Sequence, residues 1–351
     1  METRIIYVQE EQVEDRDDLL RQAGQVLKAG GLVAFPTETV YGLGGDGLNK
    51  ESSKKIYAAK GRPSDNPLII HIVDMNALPH IVSNVTSEVE KVAAAFWPGP
   101  LTMILPKSDN VPDETTGGLK TVAVRMPSHK VARKLIEYAG GYVAAPSANA
   151  SGKPSPTLAK YVVEDMDGRI DMIIDGGEVG IGLESTIIDM TVNPPQILRP
   201  GFITEEMLEQ VLGSVDVDRT ILSGDSKLAP KAPDMKYRHY APKGQLTIVT
   251  GNPENVVRYI NEQSLEARKA GKKVGIVGSE ELLADYRADS VKSAGKRDDE
   301  QAIAHNLYRI LREFDDENVE VIYSESFDNS GMGQAIMNRL LKAAGHNVTE
   351  A

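Results

Sequence analysis

The sequence of 351 residues contains no cysteine, a single tryptophan and five phenylalanines. Without cysteine, the chain can form no disulfide scaffold, no thiol nucleophile and no thiolate site for zinc or an iron–sulfur cluster. Apolar stretches such as Leu68–Ile72 and Tyr142–Pro146 are far shorter than the roughly 20 residues that span a bilayer. The acidic amino terminus also lacks the apolar run of a secretory signal. We therefore expect a cytoplasmic protein without a membrane segment.

A basic excess is missing as well. The net charge is −12, of which −9 lies in residues 1–210 and −3 in the remainder. Neither part has the positive charge expected of a protein whose main task is to bind nucleic acid. A small cationic pocket for phosphate groups remains compatible with this overall charge.

The composition that is present is that of an ordinary globular protein, with 41% hydrophobic and 26% charged residues. Segments of helical periodicity alternate with short apolar runs, which is typical of an α/β protein. In the first part of the chain, the strands are not separated by uniform helical crossovers, so we expect a twisted mixed sheet. Predicted strands there are Leu32–Phe35, Leu68–Ile72, Leu101–Leu105, Thr121–Arg125, Tyr142–Ala145, Met172–Ile174, Ser185–Met190 and Gln196–Leu198. Predicted helices are Leu19–Ala29, Ser52–Ala59, Ser87–Phe96, Lys130–Tyr138 and Thr204–Leu212.

A change of pattern divides the chain into three parts. The stretch 213–244 contains three prolines and the cluster KYRHYAP but no clear periodic element, so we interpret it as a linker or lid. It separates a first domain at 1–212 from a second domain at 245–351. In the second domain, strands and helices alternate regularly from Leu246 onward, which predicts a small, open, Rossmann-like α/β domain.

Four segments of the first domain resemble binding loops, because each follows a strand and mixes glycine or proline with polar residues. They are FPTETVYGLGGDG (Phe35–Gly47), AAKGRPSDNPLIIHI (Ala58–Ile72), APSANASGKPSP (Ala145–Pro156) and DGGEVGIGLESTIIDM (Asp175–Met190), the last followed by Arg199. The first segment is equally consistent with a glycine-rich turn in which Thr37 caps a helix.

The second and third segments have residues that suit an anionic ligand. Lys60 and Arg62, beside Asn66, match a polyphosphate, since a guanidinium binds as a fork and an ammonium as a point charge. A helix C-terminus stabilised by positive charge explains the same pair. Small residues around Ser147 and Ser155 allow backbone amides to hold an anion, although a solvated serine- and proline-rich loop has the same composition.

Several common catalytic motifs are absent. Gly152-Lys153 is followed by proline, so the chain has no P-loop, and no G-x-G-x-x-G follows a strand. The six histidines include no H-E-x-x-H pair, and no G-x-S-x-G elbow is present. We therefore expect neither a dedicated transition-metal site nor a serine hydrolase of the elbow type.

The ordered motifs resemble those of a known family. FPTETVYGLG, KGRPSDNPLIIHI, WPGPLT, VAVRMP, APSANASGKPSPT, GLESTIIDM and ILRPG occur in the order found in YrdC-like domains. KYRHYAP and GMGQAIMNRLLKAAG are similar to the linker and C-terminal extension of long-form threonylcarbamoyl-AMP synthases. The resemblance extends over residues 15–345 and implies a nucleotidyltransferase that makes L-threonylcarbamoyladenylate and pyrophosphate from L-threonine, bicarbonate and ATP.

The resemblance also implies a set of site residues. Catalytic roles fall to Lys60 and Arg62. Threonine would be bound by Thr39, His71, Arg125, Ala145 and Ser185. ATP would be bound by Arg62, Asn66, Thr121, Ser147, Asn149, Ser155, Arg199 and Tyr237. Mg²⁺ would arrive with ATP and keep several waters, leaving no protein cage in the sequence.

The family's product is used for threonylcarbamoyladenosine modification of tRNA, which other proteins complete. Strong direct binding of tRNA is not expected from the acidic balance. Two alternatives stay open at this point: an RNA-binding or ribosome-maturation module of the YrdC-like fold, and a carbamoyl-transfer enzyme that uses carbamoyl phosphate. Pyrophosphate release that requires both ATP and threonine would distinguish the synthase interpretation from these two alternatives.

Overall fold

The computed structural model describes residues 2–218 and 239–351, which form two compact units. The first unit holds the described residues up to 151 together with 155–180 and 184–218. The second holds residues 239–351 together with the short stretches 152–154 and 181–183. Tyr237, which the resemblance places on ATP, lies outside the described residues.

The described part of the first unit contains strands β1–β11 and helices α1–α8. The strands are Arg4–Tyr7, Val33–Phe35, Gly42–Asp46, Ile69–His71, Leu101–Pro106, Thr121–Arg125, Val143–Ala144, Met172–Asp175, Thr186–Asp189, Gln196–Arg199 and Asp216–Val217. The helices are Asp17–Lys28, Lys50–Lys60, Leu78–Ile81, Ser87–Phe96, Asp113–Thr116, Lys130–Tyr138, Ala159–Met166 and Glu205–Leu212.

These strands form one sheet in the order β1-β8-β2-β3-β7-β4-β6-β5-β9-β10-β11. Parallel pairs, such as β4 with β6, alternate with antiparallel pairs, such as β5 with β6. The prediction of a mixed sheet is therefore confirmed. The register of β4 and β6 places His71 directly opposite Arg125, which brings two predicted site residues to the same end of adjacent strands.

The core of the first unit forms where amphipathic helices cover the sheet. In α6, the apolar residues Val131, Leu135 and Ile136 recur at helical spacing and are fully buried. Helix α1 packs on α6 at Gly24, where an added Cβ would lie 2.4 Å from Cβ of Tyr138. Glycine at this position therefore allows the two helices to approach closely.

One predicted binding loop is partly wrong. Phe35–Gly47 contains strand β3, which pairs antiparallel with β2 and β7. Glycine-rich sequence normally disfavours a strand, but here the glycines leave room for neighbours. A Cβ on Gly44 would lie 2.9 Å from the ring of Phe35, and one on Gly45 would lie 3.0 Å from Ile56. Close packing thus requires glycine in this strand.

The second unit is a parallel five-stranded sheet in the order β14-β13-β15-β12-β16, which confirms the Rossmann-like prediction. Strands β12–β16 are Gln245–Thr250, Val274–Ser279, Ser290–Gly295, Val321–Glu325 and Val348–Glu350. Helices α9–α11 are Pro253–Lys269, Glu300–Asp316 and Gly333–Ala343. Phe314 of α10 packs on β13, where a Cβ on Gly275 would lie 2.8 Å from the phenylalanine ring. In neither described stretch of the chain is any helix long and apolar enough to cross a membrane.

Truncation tests the predicted domain boundary. We expect a fragment of residues 1–244 to fold, because the apolar clusters of the first unit consist entirely of residues up to 217. Circular dichroism should show one cooperative thermal transition. An insoluble fragment, or one that melts without a transition, would place the boundary elsewhere.

Candidate active site

A cavity with an empty volume of ≈ 460 Å³ lies in the first unit, where the central strands of the sheet end. Its walls combine apolar residues with buried cations and hydroxyl groups. The lining residues are Thr37, Val40, Tyr41, Gly42, Arg62, Pro67, Ile69, His71, Arg125, Ala145, Pro146, Ser147, Glu184, Ser185 and Arg199. Seven of the fourteen site residues predicted from the sequence therefore line this cavity. They come from the second, third and fourth predicted binding segments and from strands β6 and β10.

Arg125 is the last residue of β6 and is only 4% exposed. Its Nη2 lies 2.8 Å from Oε1 of Glu38, which follows β2. Burial by itself raises the pKa of Glu38, but the positive charge of Arg125 and the nearby backbone at Glu38 and Ser128 together outweigh burial, so the pKa lies below its ordinary value. Within the part of the chain that the structure describes, Nε of Arg125 has no hydrogen-bond partner. This buried N–H group can donate a hydrogen bond to the carboxylate of an incoming ligand.

His71 ends β4 beside Arg125 and is 3% exposed. Burial, followed by the positive charge of Arg125, lowers the pKa of His71 to about 3. Its ring is therefore neutral at pH 7. Nδ1 lies 3.2 Å from the carbonyl oxygen of Ile69 and donates to it, which fixes the ring orientation. A neutral imidazole can bind a ligand here without adding charge.

Ser185 and Arg199 also line the cavity. Nε of Arg199 donates to the carbonyl oxygen of Ser185 at 3.0 Å, and its Nη2 donates to the Ser185 hydroxyl at 3.2 Å. The same hydroxyl lies 2.8 Å from Oγ1 of Thr102 on β5. These contacts attach the start of β9 to the end of β10 and hold both side chains at the cavity.

Lys60 is buried but does not line the cavity. Its ammonium donates to the carbonyl oxygen of Ser147 and, at 2.6 Å, to that of Asn149. Ser147 in turn donates its hydroxyl to Oδ1 of Asn149. The lysine at the end of α2 therefore holds the third binding segment in place, while Ser147 itself faces the cavity.

The remaining predicted residues lie at different distances from the cavity. Arg62 lines it and donates to the carbonyl oxygen of Pro67 at 3.1 Å, whereas Asn66 is buried behind it. Thr39 does not line the cavity, but its hydroxyl oxygen lies 2.9 Å from that of Thr37, which does. Ala145 is part of the wall.

Neither Ser155 nor Thr121 lines the cavity. Ser155 does not line the cavity, but it donates its hydroxyl to the carboxylate of Glu184, which does. Thr121 begins β6 and therefore lies at the opposite end of that strand from Arg125, about 13 Å along it. The structure does not bring Thr121 to the cavity wall.

Four residues without an assigned role in the sequence-based site belong to its surroundings: Thr37, Tyr41 and Glu184 line the cavity, and Glu38 pairs with Arg125. All four stand in motifs that carried the family resemblance, so the motif itself was the available sign. Tyr41 donates its hydroxyl to the carbonyl oxygen of Gly177 at 2.7 Å and joins the first segment to the fourth. Residues 2–218 and 239–351 contain no group of three or more histidine, aspartate or glutamate side chains able to hold a metal ion.

Comparison with known proteins supports the resemblance along nearly the whole chain. A family described as telomere recombination matches residues 25–201, and the C-terminal domain of threonylcarbamoyl-AMP synthase matches residues 203–345. Threonylcarbamoyl-AMP synthase of Pyrococcus abyssi is 49% identical over 94% of this chain and 95% of the relative. That of Bacillus subtilis is 47% identical over 96% of each. A crystal structure of P. abyssi Sua5 complexed with L-threonine superposes with a TM-score of 0.92 at 47% identity, covering 99% of this chain and all of that one.

The buried neutral histidine predicts how stability depends on pH. Between the folded pKa of about 3 and the unfolded value near 6.5, only the unfolded chain binds this proton. The free energy of unfolding should therefore rise with pH in this window by about 1.4 kcal/mol per unit from His71 alone, and be flat above it. Urea unfolding of His71→Gln at pH 4.5–6.5 should show a smaller slope. Ile72→Val, a change at the buried residue next to His71 that removes no titratable group, should keep the wild-type slope; equal slopes in all three proteins would contradict the assignment.

The buried Glu38–Arg125 ion pair predicts a large loss of stability in Glu38→Ala. Removing one partner leaves Arg125 buried with an uncompensated charge, which typically costs roughly 3–5 kcal/mol. Chemical denaturation at pH 7 measures the loss. Glu51→Ala removes the partner of Lys54 in an exposed pair and should cost less than about 1 kcal/mol. Similar losses in the two variants would mean that the Glu38–Arg125 pair is not buried in solution.

Proposed function

The chain belongs to the threonylcarbamoyl-AMP synthase family, and we propose that its cavity converts L-threonine, bicarbonate and ATP into threonylcarbamoyl-AMP and pyrophosphate. The enzyme is thus a nucleotidyltransferase whose product serves tRNA modification. One observation supports the assignment of the cavity most directly: the side chains of Arg62, Arg125 and Arg199 converge on it. Guanidinium groups bind carboxylates and phosphates as forks, which are the charged groups of these substrates.

Threonine fits the part of the cavity between the ends of β4 and β6. The leftover Nε donor of Arg125 is suited to the amino-acid carboxylate, with Glu38 keeping the guanidinium in place from the other side. The neutral ring of His71 does not repel the substrate's ammonium group. With a pKa of about 3, however, His71 is too weak a base to remove the ammonium proton near pH 7. We assign it a binding role, together with Thr39, Ala145 and Ser185.

The nucleotide phosphates fit the side of the cavity formed by Arg62, Arg199 and Ser147. Lys60 contributes by fixing the carbonyl groups of Ser147 and Asn149 from behind. We therefore propose that Lys60 positions this segment, while its predicted catalytic role toward the phosphates or the carboxylated amine remains a prediction. Asn66, Ser155, Thr121 and Tyr237 remain predicted nucleotide contacts.

The chemistry requires positioning more than covalent help from the protein. The threonine ammonium group first loses a proton to water. The free amine then adds to the carbon of bicarbonate and water leaves, which gives a carbamate. A carbamate oxygen then attacks the α-phosphorus of ATP, and pyrophosphate departs with the electron pair of the broken P–O bond. The buried arginines stabilise the charge that develops on the phosphate oxygens, and the narrow cavity holds the reactants in line.

Mg²⁺ is proposed to accompany ATP as part of the substrate. The cavity wall offers one carboxylate, that of Glu184, and this donor set suits an ion that keeps most of its ligands as water and phosphate oxygen. Bound Mg²⁺ would neutralise part of the phosphate charge. We also propose that separate cytoplasmic proteins transfer the product to tRNA, because a net charge of −12 opposes tight direct binding of nucleic acid.

The proposed reaction is tested by pyrophosphate release. Purified protein with ATP, L-threonine and bicarbonate should release pyrophosphate at a rate that depends on all three substrates. Arg62→Ala should lower kcat about 100-fold or more, since it removes a buried charge at the phosphates. Arg169→Ala, on the same unit but outside the cavity, serves as the control and should keep wild-type turnover. Release that is no faster with threonine than without it would contradict the proposed function.

A further inference from the structure

We propose that helix α10 of the second unit positions two substrate-binding loops, with Arg312 as the positioning residue for the nucleotide loop. The two loops are the stretches 152–154 and 181–183, which pack with residues 239–351 in one compact unit. The inference deepens the proposed function and rests on it. It gives the second unit a part in catalysis without a ligand of its own.

Arg312 supplies the first contact. Its side chain is 1% exposed, and Nε and Nη2 both donate to the carbonyl oxygen of Pro154, at 3.0 and 2.7 Å. A guanidinium fork that closes on one carbonyl oxygen in a dry environment is a strong, directional restraint. The backbone adds a second restraint on the same loop, since the amide of Ala241 donates to the carbonyl oxygen of Gly152 at 2.8 Å.

Gly182 supplies the second contact. It has a φ of +87°, and an added Cβ would lie 2.5 Å from Cα of His305 and 2.7 Å from the carbonyl oxygen of Ala304. Backbone atoms cannot move aside like a flexible side chain. Glycine is therefore required here by conformation and by space, because the loop lies directly against the helix backbone.

Both contacts lie on one face of α10. His305 and Arg312 are seven residues apart, which is close to two full helical turns and about 10.5 Å along the axis. A single rigid helix thus sets the spacing between the two loops. The helix itself is fixed by its buried apolar side, which includes Leu307, Leu311 and Phe314.

The restrained points are immediately next to substrate-binding residues. Ser155 follows Pro154 directly, and Glu184 comes two residues after Gly182. The hydroxyl of Ser155 donates to the carboxylate of Glu184, so the two loops join by a hydrogen bond just beyond the points that α10 holds. Glu184 and Ser185 line the cavity. Moving either loop would break this pairing and displace cavity residues, whereas Arg125 and His71 belong to the sheet and would stay in place.

The test compares full-length variants in the pyrophosphate assay. Arg312→Ala should raise the KM for ATP about tenfold or more, because two charge-assisted hydrogen bonds are lost, with the KM for threonine within about twofold of wild type. Arg312→Lys keeps the positive charge and can donate to the same carbonyl oxygen, but lacks the guanidinium fork, so it should recover part of the ATP affinity. Gly182→Ala should raise the KM for both substrates, since Ser185 follows on the same loop.

Ile260→Val is the matched control, since it weakens the core of the second unit at α9 without changing α10 or either loop. It should lower the thermal midpoint while leaving both KM values unchanged. An Arg312→Ala protein with the wild-type KM for ATP, or an Ile260→Val protein with the same KM increase, would overturn the inference. ATP affinity measured by calorimetry provides the same comparison if the wild type releases no pyrophosphate, an outcome that would contradict the proposed function alone.

Discussion

Burial of positive charge is the constraint on which the first unit depends. Lys60, Arg62, Arg125 and Arg199 are 3%, 8%, 4% and 4% exposed, and a buried cation is stable only when oxygen atoms compensate it. Those oxygens come from loop carbonyls at Ser147, Asn149, Pro67 and Ser185 and from the carboxylate of Glu38. Each cation therefore fixes a loop, and the loops so fixed form the cavity. The net charge of the chain has no bearing on this local arrangement.

Local periodicity explains which parts of the fold were predictable. The bounds of Ser87–Phe96, Lys130–Tyr138 and Thr121–Arg125 agree with the prediction, because each segment has an apolar face or run that decides its conformation. The sequence pattern places strand β3 in a binding loop, because glycine-rich sequence is typical of loops. Its glycines are explained only by side chains that pack on the strand from elsewhere in the chain. Helix α7 (Ala159–Met166) and the terminal strands Arg4–Tyr7 and Val348–Glu350 were not predicted, being short elements that tertiary packing stabilises.

The sequence likewise indicates some features of the candidate site and not others. Motif order was enough to indicate Arg62, His71, Arg125, Ser147, Ser185 and Arg199, all of which line the cavity. It did not indicate that Glu38 pairs with Arg125, or that Lys60 faces backbone carbonyls, because such pairings join residues 87 or 89 positions apart. Sequence spacing shows which charges are present, and only the folded chain shows which oxygen each charge meets.

The same reasoning supports the part that we propose for the second unit. An enzyme that works by holding carbamate and triphosphate in line loses rate steeply when a binding loop shifts, since misplacement of about 1 Å can cost roughly 100-fold. Cations inside the first unit secure the loops near Ser147 and Ser185, but the stretches 152–154 and 181–183 pack with the second unit. Their restraint therefore has to come from elements such as α10. A fragment that keeps the cavity but lacks those elements would still fold around its own core, and would lose precision at Ser155 and Glu184.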